Sequence, residues 1–373
     1  MCRFPQGTCA ACTGTLAFSQ TICAGCTGTL GFSQTVCAGC IGTLGFSQTV
    51  CARCTGTLGF SQIICASCTG TLGKLSFLLK PNLFSILPTQ IPIIMEKIQL
   101  QSSGNLIAVT HFRPTGTSDI SVIMNCATGA KQTYFWKFAQ YIANKGIRVF
   151  TYDYSGIGQS APKSLKGYQT SASQWGESDL TAVINYVSHH FAYKKLILIN
   201  QSIGGQIACL SPSIHKVDGM VHVASQTGYW KQWPLRYRYL LYFNWQMLVG
   251  FSHIFGYFPG KSMGIMENLP KGVALEWAKW GKSPNYLFDH ISPEEKARYE
   301  TIKTPLLSYS FSDDTTAPYN TVQWLNTRFK NCTLIDKHIH PEEIGLKKIG
   351  HFGFFRTKCQ PLWEDLLAEI RKW

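Results

Sequence analysis

No aspartate or glutamate occurs before Glu96. The first 94 residues carry only four charges, Arg3, Arg53, Lys74 and Lys80, and all are basic. A segment so poor in charge is not a polyelectrolyte tail of either sign. Cysteine is scarce in the remainder: after residue 68 only Cys126, Cys209, Cys332 and Cys359 are left of fifteen. The net charge of +14 contains no block of five or six like charges. It is spread singly or in pairs such as Lys194-Lys195, which speaks for a solvated basic surface and against a nucleic-acid module. Long uninterrupted apolar runs are also missing. Met1 to Leu16 is broken by Pro5, Gly7 and three cysteines, so it does not make a secretory signal. Residues 75–94 are apolar, but Lys80 and three prolines interrupt them, whereas a spanning helix needs about 20 apolar residues. We read 75–94 as a linker, with membrane-surface contact not favoured, and expect a cytoplasmic protein.

What the first part does contain is a repeat. Residues 9–72 repeat every 14 residues as Cys-Ala-x-Cys-Thr-Gly-Thr-Leu-Gly-Phe-Ser-Gln-x-x. The cysteine pairs are Cys9/Cys12, Cys23/Cys26, Cys37/Cys40, Cys51/Cys54 and Cys65/Cys68. Two such pairs in series have zinc-knuckle spacing. Three features oppose that reading. Each unit offers only Leu and Phe for a core, so metal would have to supply nearly all the folding energy. Five pairs leave one unmatched. The units are near-identical copies, whereas folded arrays have distinct end repeats. Residues 1–74 therefore read as a low-complexity leader, disordered or non-native, with no metal.

Met95 opens 279 residues of ordinary composition. Short apolar strand candidates recur at Leu106–His111, Ile120–Cys126, Val149–Tyr154, Leu196–Asn200, Gly219–Ala224, Pro305–Phe311 and Cys332–Asp336. Amphipathic segments separate them; Leu180, Val183, Ile184 and Val187 share one helical face. This alternation predicts an α/β domain with a mostly parallel sheet covered on both sides. Trp230 to Trp280 breaks the rhythm with a long aromatic stretch, read as part of a helical lid spanning about 226–300.

The chemistry falls at strand ends. Asn200-Gln201-Ser202-Ile203-Gly204-Gly205 follows a strand and opens a helix. A nucleophile on such a sharp turn needs small neighbours, and the helix start presents N–H groups to developing negative charge. Ser312-Asp313-Asp314 follows a later strand, and Gly350-His351 precedes the terminal helix. The order Ser, acid, His, each after a strand, suits a hydrolase in which the His takes the serine proton and the acid orients its ring. Asp313 and Asp314 point to different sides of an extended loop, and Pro318 favours Asp314. His338 and His340 are rival bases, but they lie in or at the end of the last strand. A second glycine motif, Gly156-Ile157-Gly158, loosely matches a dinucleotide fingerprint. Pro162, Lys163 and Ser164 follow where a helix must start, so no cofactor is expected.

Residues 95–373 resemble the α/β-hydrolase superfamily, within it the bacterial predicted α/β hydrolases close to the serine aminopeptidase and monoglyceride-lipase-like branch. The resemblance rests on Asn125-Cys126-Ala127-Thr128-Gly129-Ala130, Asp153-Tyr154-Ser155-Gly156-Ile157-Gly158-Gln159-Ser160, Trp175-Gly176-Glu177-Ser178-Asp179-Leu180, Gln201-Ser202-Ile203-Gly204-Gly205, Gly256-Tyr257-Phe258-Pro259-Gly260 and Gly350-His351-Phe352-Gly353. It implies Ser202 as nucleophile, His351 as base and Asp314 as acid, with the backbone N–H groups of Ile203 and Ala127 as oxyanion hole. Where that family usually has Gly this chain has Asn200, and where it commonly has His it has Gln201. The expected activity is hydrolysis of an ester or thioester with an apolar acyl group, under a lid bearing Trp230, Trp233 and Tyr237. Lys231, Arg236 and Arg238 solvate the lid or attract an anionic substrate group. The alternatives are an amidase or peptidase of the same fold, or a non-catalytic binding protein. The partner is a small acyl substrate, not nucleic acid; the oligomeric state stays open.

Overall fold

The computed structural model describes residues 93–373 apart from Thr115, and of residues 1–92 only the backbone of fifteen short strands between Cys2 and Thr69. The chain divides into two units, Met1–Pro88 and Thr89–Trp373. In the first, each strand pairs in parallel with its equivalent one repeat on, as in Leu16↔Leu30 and Leu44↔Leu58, giving three five-stranded sheets. The side chains of Cys2 to Cys68, and the zinc reading with them, lie outside the described residues, as do residues 75–92 of the linker expected at 75–94, whose last residue, Ile94, opens a strand.

The second unit is built on one eight-stranded sheet. Its strands are β1 (Ile94–Ser102), β2 (Asn105–Arg113), β3 (Ile120–Asn125), β4 (Arg148–Tyr152), β5 (Lys195–Gln201), β6 (Gly219–Val223), β7 (Leu306–Phe311) and β8 (Leu334–Ile339). Their spatial order is β1-β2-β4-β3-β5-β6-β7-β8. The β1–β2 hairpin and the β2–β4 pair are antiparallel; all other pairs are parallel. Parallel strands buried on both faces read as mostly apolar runs, as in β5 (KLILINQ), β6 (GMVHV) and β7 (LLSYSF).

Helices cover the sheet and bridge its strands: α1 (Trp136–Asn144), α2 (Thr181–His190), α3 (Ile203–Ile207), α4 (Leu235–Phe255), α5 (Lys271–Lys282), α6 (Pro293–Thr301), α7 (Tyr319–Asn326) and α8 (Gln360–Lys372). The predicted face Leu180, Val183, Ile184 and Val187 is fully buried. α4 to α6 form the insertion between β6 and β7. Gly281 lets α5 close on α4, since a Cβ there would lie 2.2 Å from Trp245 Cε2.

Several polar side chains are buried in this core. His222 of β6 is fully buried, neither ring nitrogen has a hydrogen-bond partner, and its pKa is lowered to about 3 by burial. The folded chain therefore keeps His222 neutral, while the unfolded chain binds a proton below the ordinary value of 6.5. That contribution to stability is full above pH 6.5 and is lost as pH falls toward 3. His222→Leu removes it. The variant's stability relative to the parent should rise by about 1.4 kcal/mol per pH unit as pH falls below 6.5, while other titrating groups cancel in the difference. Urea titrations of both proteins at several pH values measure it. A difference independent of pH would contradict a neutral buried ring.

Candidate active site

β5 ends at Gln201, and the next residue turns the chain directly into α3. Ser202 has φ 52° and ψ −116°, a backbone region strained for any residue with a side chain. The turn is pinned by Ser202 N–H donating to Val223 O at 3.1 Å and Gly205 N–H donating to Ser202 O at 3.2 Å. The two glycines are required by space. A Cβ on Gly204 would lie 2.7 Å from Asn125 Cβ, and one on Gly205 would lie 2.4 Å from Ser225 Oγ. Ser202 is 5% exposed and stands beside the first N–H groups of α3, which have no partner within the helix. Its hydroxyl donates to Gln226 Oε1 at 3.5 Å, and Gln226 Nε2 donates to Thr316 O at 3.3 Å.

The two aspartates after β7 do separate work. Asp314 Oδ1 accepts from Thr316 N–H at 2.8 Å and Ala317 N–H at 3.1 Å, while Oδ2 lies 2.8 Å from His351 Nδ1. Asp313 instead accepts from Ile349 N–H at 2.9 Å and from Gly350 N–H at 3.0 Å, and so holds the loop that carries His351. Gly350 has φ 63°. Beyond it, Gln201 Nε2 donates to His351 O at 2.9 Å and Tyr134 OH donates to Phe352 O at 2.6 Å. The loop that carries His351 is thus clamped before, at and after it. His338 is occupied elsewhere: its Nδ1 bonds Ser310 Oγ at 2.8 Å and its ring packs on Tyr319. His340 packs against His338.

Ala127 is buried just past β3, in a turn closed by Ala130 N–H donating to its carbonyl. Trp230, Trp233 and Tyr237 are half-buried and contact other residues of the insertion. Trp230 packs on Tyr239 and Tyr242, Lys231 sits over Trp230, and Arg236 sits over Tyr237. The Gly156–Gly158 loop serves its own carboxylate. Asp153 accepts from Gln159 N–H at 2.9 Å, and a Cβ on Gly158 would fall 2.5 Å from Asp153 Oδ2. Sequence reasoning missed Gln226 and the clamp made by Gln201. Their only signal is that each adjoins the end of a strand next to Ser202.

The family model for serine aminopeptidases of the S33 family matches residues 128–333, more than half of the chain. The chain belongs to that family. It is an α/β serine hydrolase. Solved structures are similar to it. DcsB, solved with its substrate analogue, has a TM-score of 0.52 at 16% identity, covering 75% of this chain and 99% of DcsB. The esterase EaEST from Exiguobacterium antarcticum has a TM-score of 0.49 at 17% identity, covering 74% and 100%. The Pyrococcus furiosus esterase Pf2001 has a TM-score of 0.49 at 13% identity, covering 81% and 97%. At such identities the likeness concerns the fold alone. No curated protein matches the sequence.

Within this hydrolase, Asn200 has a structural partner. Asn125 Nδ2 donates to Asn200 Oδ1 at 2.6 Å, and Tyr152 OH donates to Asn125 Oδ1 at 2.5 Å, all in the fully buried layer beneath Ser202. Asn200→Gly, which restores the residue usual in the resembling family, would leave the Asn125 amide unpaired and add backbone freedom to β5. We expect it to lower stability by about 1–3 kcal/mol, read from the shift in urea midpoint. An unchanged midpoint would show that the asparagine pair contributes nothing.

Proposed function

We propose that this hydrolase cleaves carboxylic esters or thioesters with an apolar acyl group through an acyl-enzyme on Ser202, with His351 as base and Asp314 as acid. The observation that carries the reading is the 2.8 Å contact between His351 Nδ1 and Asp314 Oδ2, on a loop tied by Gln201 to the turn bearing Ser202. With Nδ1–H donating to Asp314, Nε2 is left as the acceptor for the serine proton. Ser202 Oγ rotates from Gln226 to His351, attacks the substrate carbonyl carbon and passes its proton to Nε2. The tetrahedral oxyanion is received by the N–H groups of Ile203 and Ala127. Collapse breaks the bond to the leaving alcohol or thiol, which takes the proton from His351. Water then enters, gives a proton to His351 and attacks the acyl carbon; collapse breaks the bond to Ser202 Oγ, which takes the proton back from His351 as the acid leaves. The apolar acyl preference follows from the aromatic insertion, in which Trp230, Trp233 and Tyr237 are assigned to substrate contact. Amide or peptide cleavage is the second reading, favoured by the aminopeptidase family match.

Ser202→Ala and His351→Ala should each lower kcat/KM on an activated ester by on the order of 10⁴-fold or more, and the double variant by little more, since the two act as a unit. Fluorophosphonate should label Ser202 and fail on Ser202→Ala. Full activity in Ser202→Ala would end the proposal. Asp314→Asn should cost on the order of 10²- to 10⁴-fold, and Asp313→Asn roughly tenfold or less, because its loop keeps the Gln201 and Tyr134 anchors. The reverse order would move the acid role to Asp313. Ester against matched amide substrates decides the second reading.

We also assign catalysis wholly to residues from Met95 onward. Starting the chain there removes from the sheet only Ile94, an exposed end of β1. The shortened chain should match the full chain in kcat and KM; an inactive but folded product would make the leader part of the enzyme.

A further inference from the structure

The 21-residue helix α4 carries exposed apolar side chains on the side opposite its buried residues. Trp245, Leu248 and Ser252 form its buried side. Tyr239, Phe243 and Ile254 recur at spacings of four and eleven, which 3.6 residues per turn stack on the opposite side. They are 67%, 58% and 73% exposed, and Leu240, at 58%, widens the stripe. Isolated exposed apolar residues need no explanation, but Tyr239, Leu240 and Phe243 cluster within about one turn, with Ile254 farther along the same side beyond Gln246 and Gly250, and such a grouping marks a docking surface.

The surrounding charge identifies the occupant. Between Asp218 and Glu267 the chain has no acidic residue, while Lys231, Arg236, Arg238 and Lys261 are basic. None of these four is ion-paired among the described residues. Arg236 lies in the stripe itself, one turn before Leu240, and Lys231 lies just ahead of the helix. A second copy of this chain would set these unpaired cations against their own kind. An acidic, apolar-backed surface satisfies both the stripe and the charges. No helix of the described residues is long and apolar enough to cross a membrane, so the contact is one of lying on a surface.

We propose that the outer face of α4 docks on the surface of an anionic lipid bilayer. Phe243, Ile254, Tyr239 and Leu240 enter the boundary between headgroups and acyl chains, and Lys231 and Arg236 reach the anionic headgroups. This places the insertion of the hydrolase where apolar acyl substrates partition.

The test sediments the full chain with vesicles of phosphatidylcholine alone and with about a third phosphatidylglycerol. The parent should bind the anionic vesicles at least about tenfold more strongly, and raised salt should weaken that binding. Phe243→Ser/Ile254→Ser should lower binding about tenfold or more, with circular dichroism and hydrolysis of a soluble short-chain ester unchanged. Lys231→Glu/Arg236→Glu should remove the preference for anionic vesicles. No vesicle binding by the parent would overturn the proposal, as would serine variants that bind like the parent. So would a solution dimer that the serine variants dissociate, because it would assign the face to a second copy.

Discussion

The left-handed backbone at Ser202 is a local strain of about 1–3 kcal/mol that persists only while its surroundings hold it. Two strands and one loop do so. β6 accepts the Ser202 N–H through Val223, β3 closes on Gly204 through Asn125, and the residues after β6 close on Gly205 through Ser225. The next turn is strained as well: Ala224 has φ 50°, fixed by its N–H donating to Tyr309 O of β7 at 2.8 Å. The direction of the Ser202 hydroxyl is therefore a property of the sheet. A register slip of either neighbouring strand would release it.

The insertion between β6 and β7 takes part in the same constraint. Tyr286 OH donates to Gln206 Oε1 at 2.8 Å and accepts from Trp277 Nε1 at 2.8 Å. Tyr299 OH donates to Gln206 O at 2.6 Å, and Arg298 donates to the carbonyls of Cys209 and Leu210 at 2.9 Å each. These are carbonyls of the short helical run from α3 onward, whose C-terminal end has no partners of its own and favours a cation. The later half of the insertion thus anchors the far end of the helix that follows Ser202. The earlier half, α4, is left with its outer face free.

Most of the sheet was legible because buried parallel strands read as apolar runs, and all seven strand candidates overlap an observed strand. β1 was missed for the complementary reason. IMEKIQLQS lies at the sheet edge, largely exposed, with Glu96, Lys97, Gln99 and Gln101 breaking any run. β8 lies two to three residues later than Cys332–Asp336, because at the other edge Lys337 and His338 belong to the strand despite their polarity. Ser202, Asp314 and His351 stood out as candidates because each follows a strand in the order Ser, acid, His, and the structure brings Asp314 and His351 within 2.8 Å of each other. The contacts of Gln201, Asp313 and Gln226 were not legible, since a glutamine or aspartate that binds backbone across the sheet leaves no local pattern.

Gln201 and Ser202 are adjacent, yet they reach opposite ends of the site. In a strand, neighbouring side chains point to opposite faces. The sharp turn at Ser202 breaks that alternation, so Gln201 can donate to the His351 carbonyl while Ser202 faces Gln226. The proposed nucleophile and base are therefore referred to the same point of backbone, and a movement of the His351 loop pulls on the turn itself. Asp313 and Asp314 add a second tie, from β7 to the backbone before His351 and to its ring. With both loops fixed, rotation of Ser202 about χ1 is the freedom left at the proposed centre. The long bond to Gln226 opposes that rotation only weakly. An ester entering the site then has little to displace before the hydroxyl turns to His351, and the strain that holds Ser202 is spent on direction rather than on the chemical step.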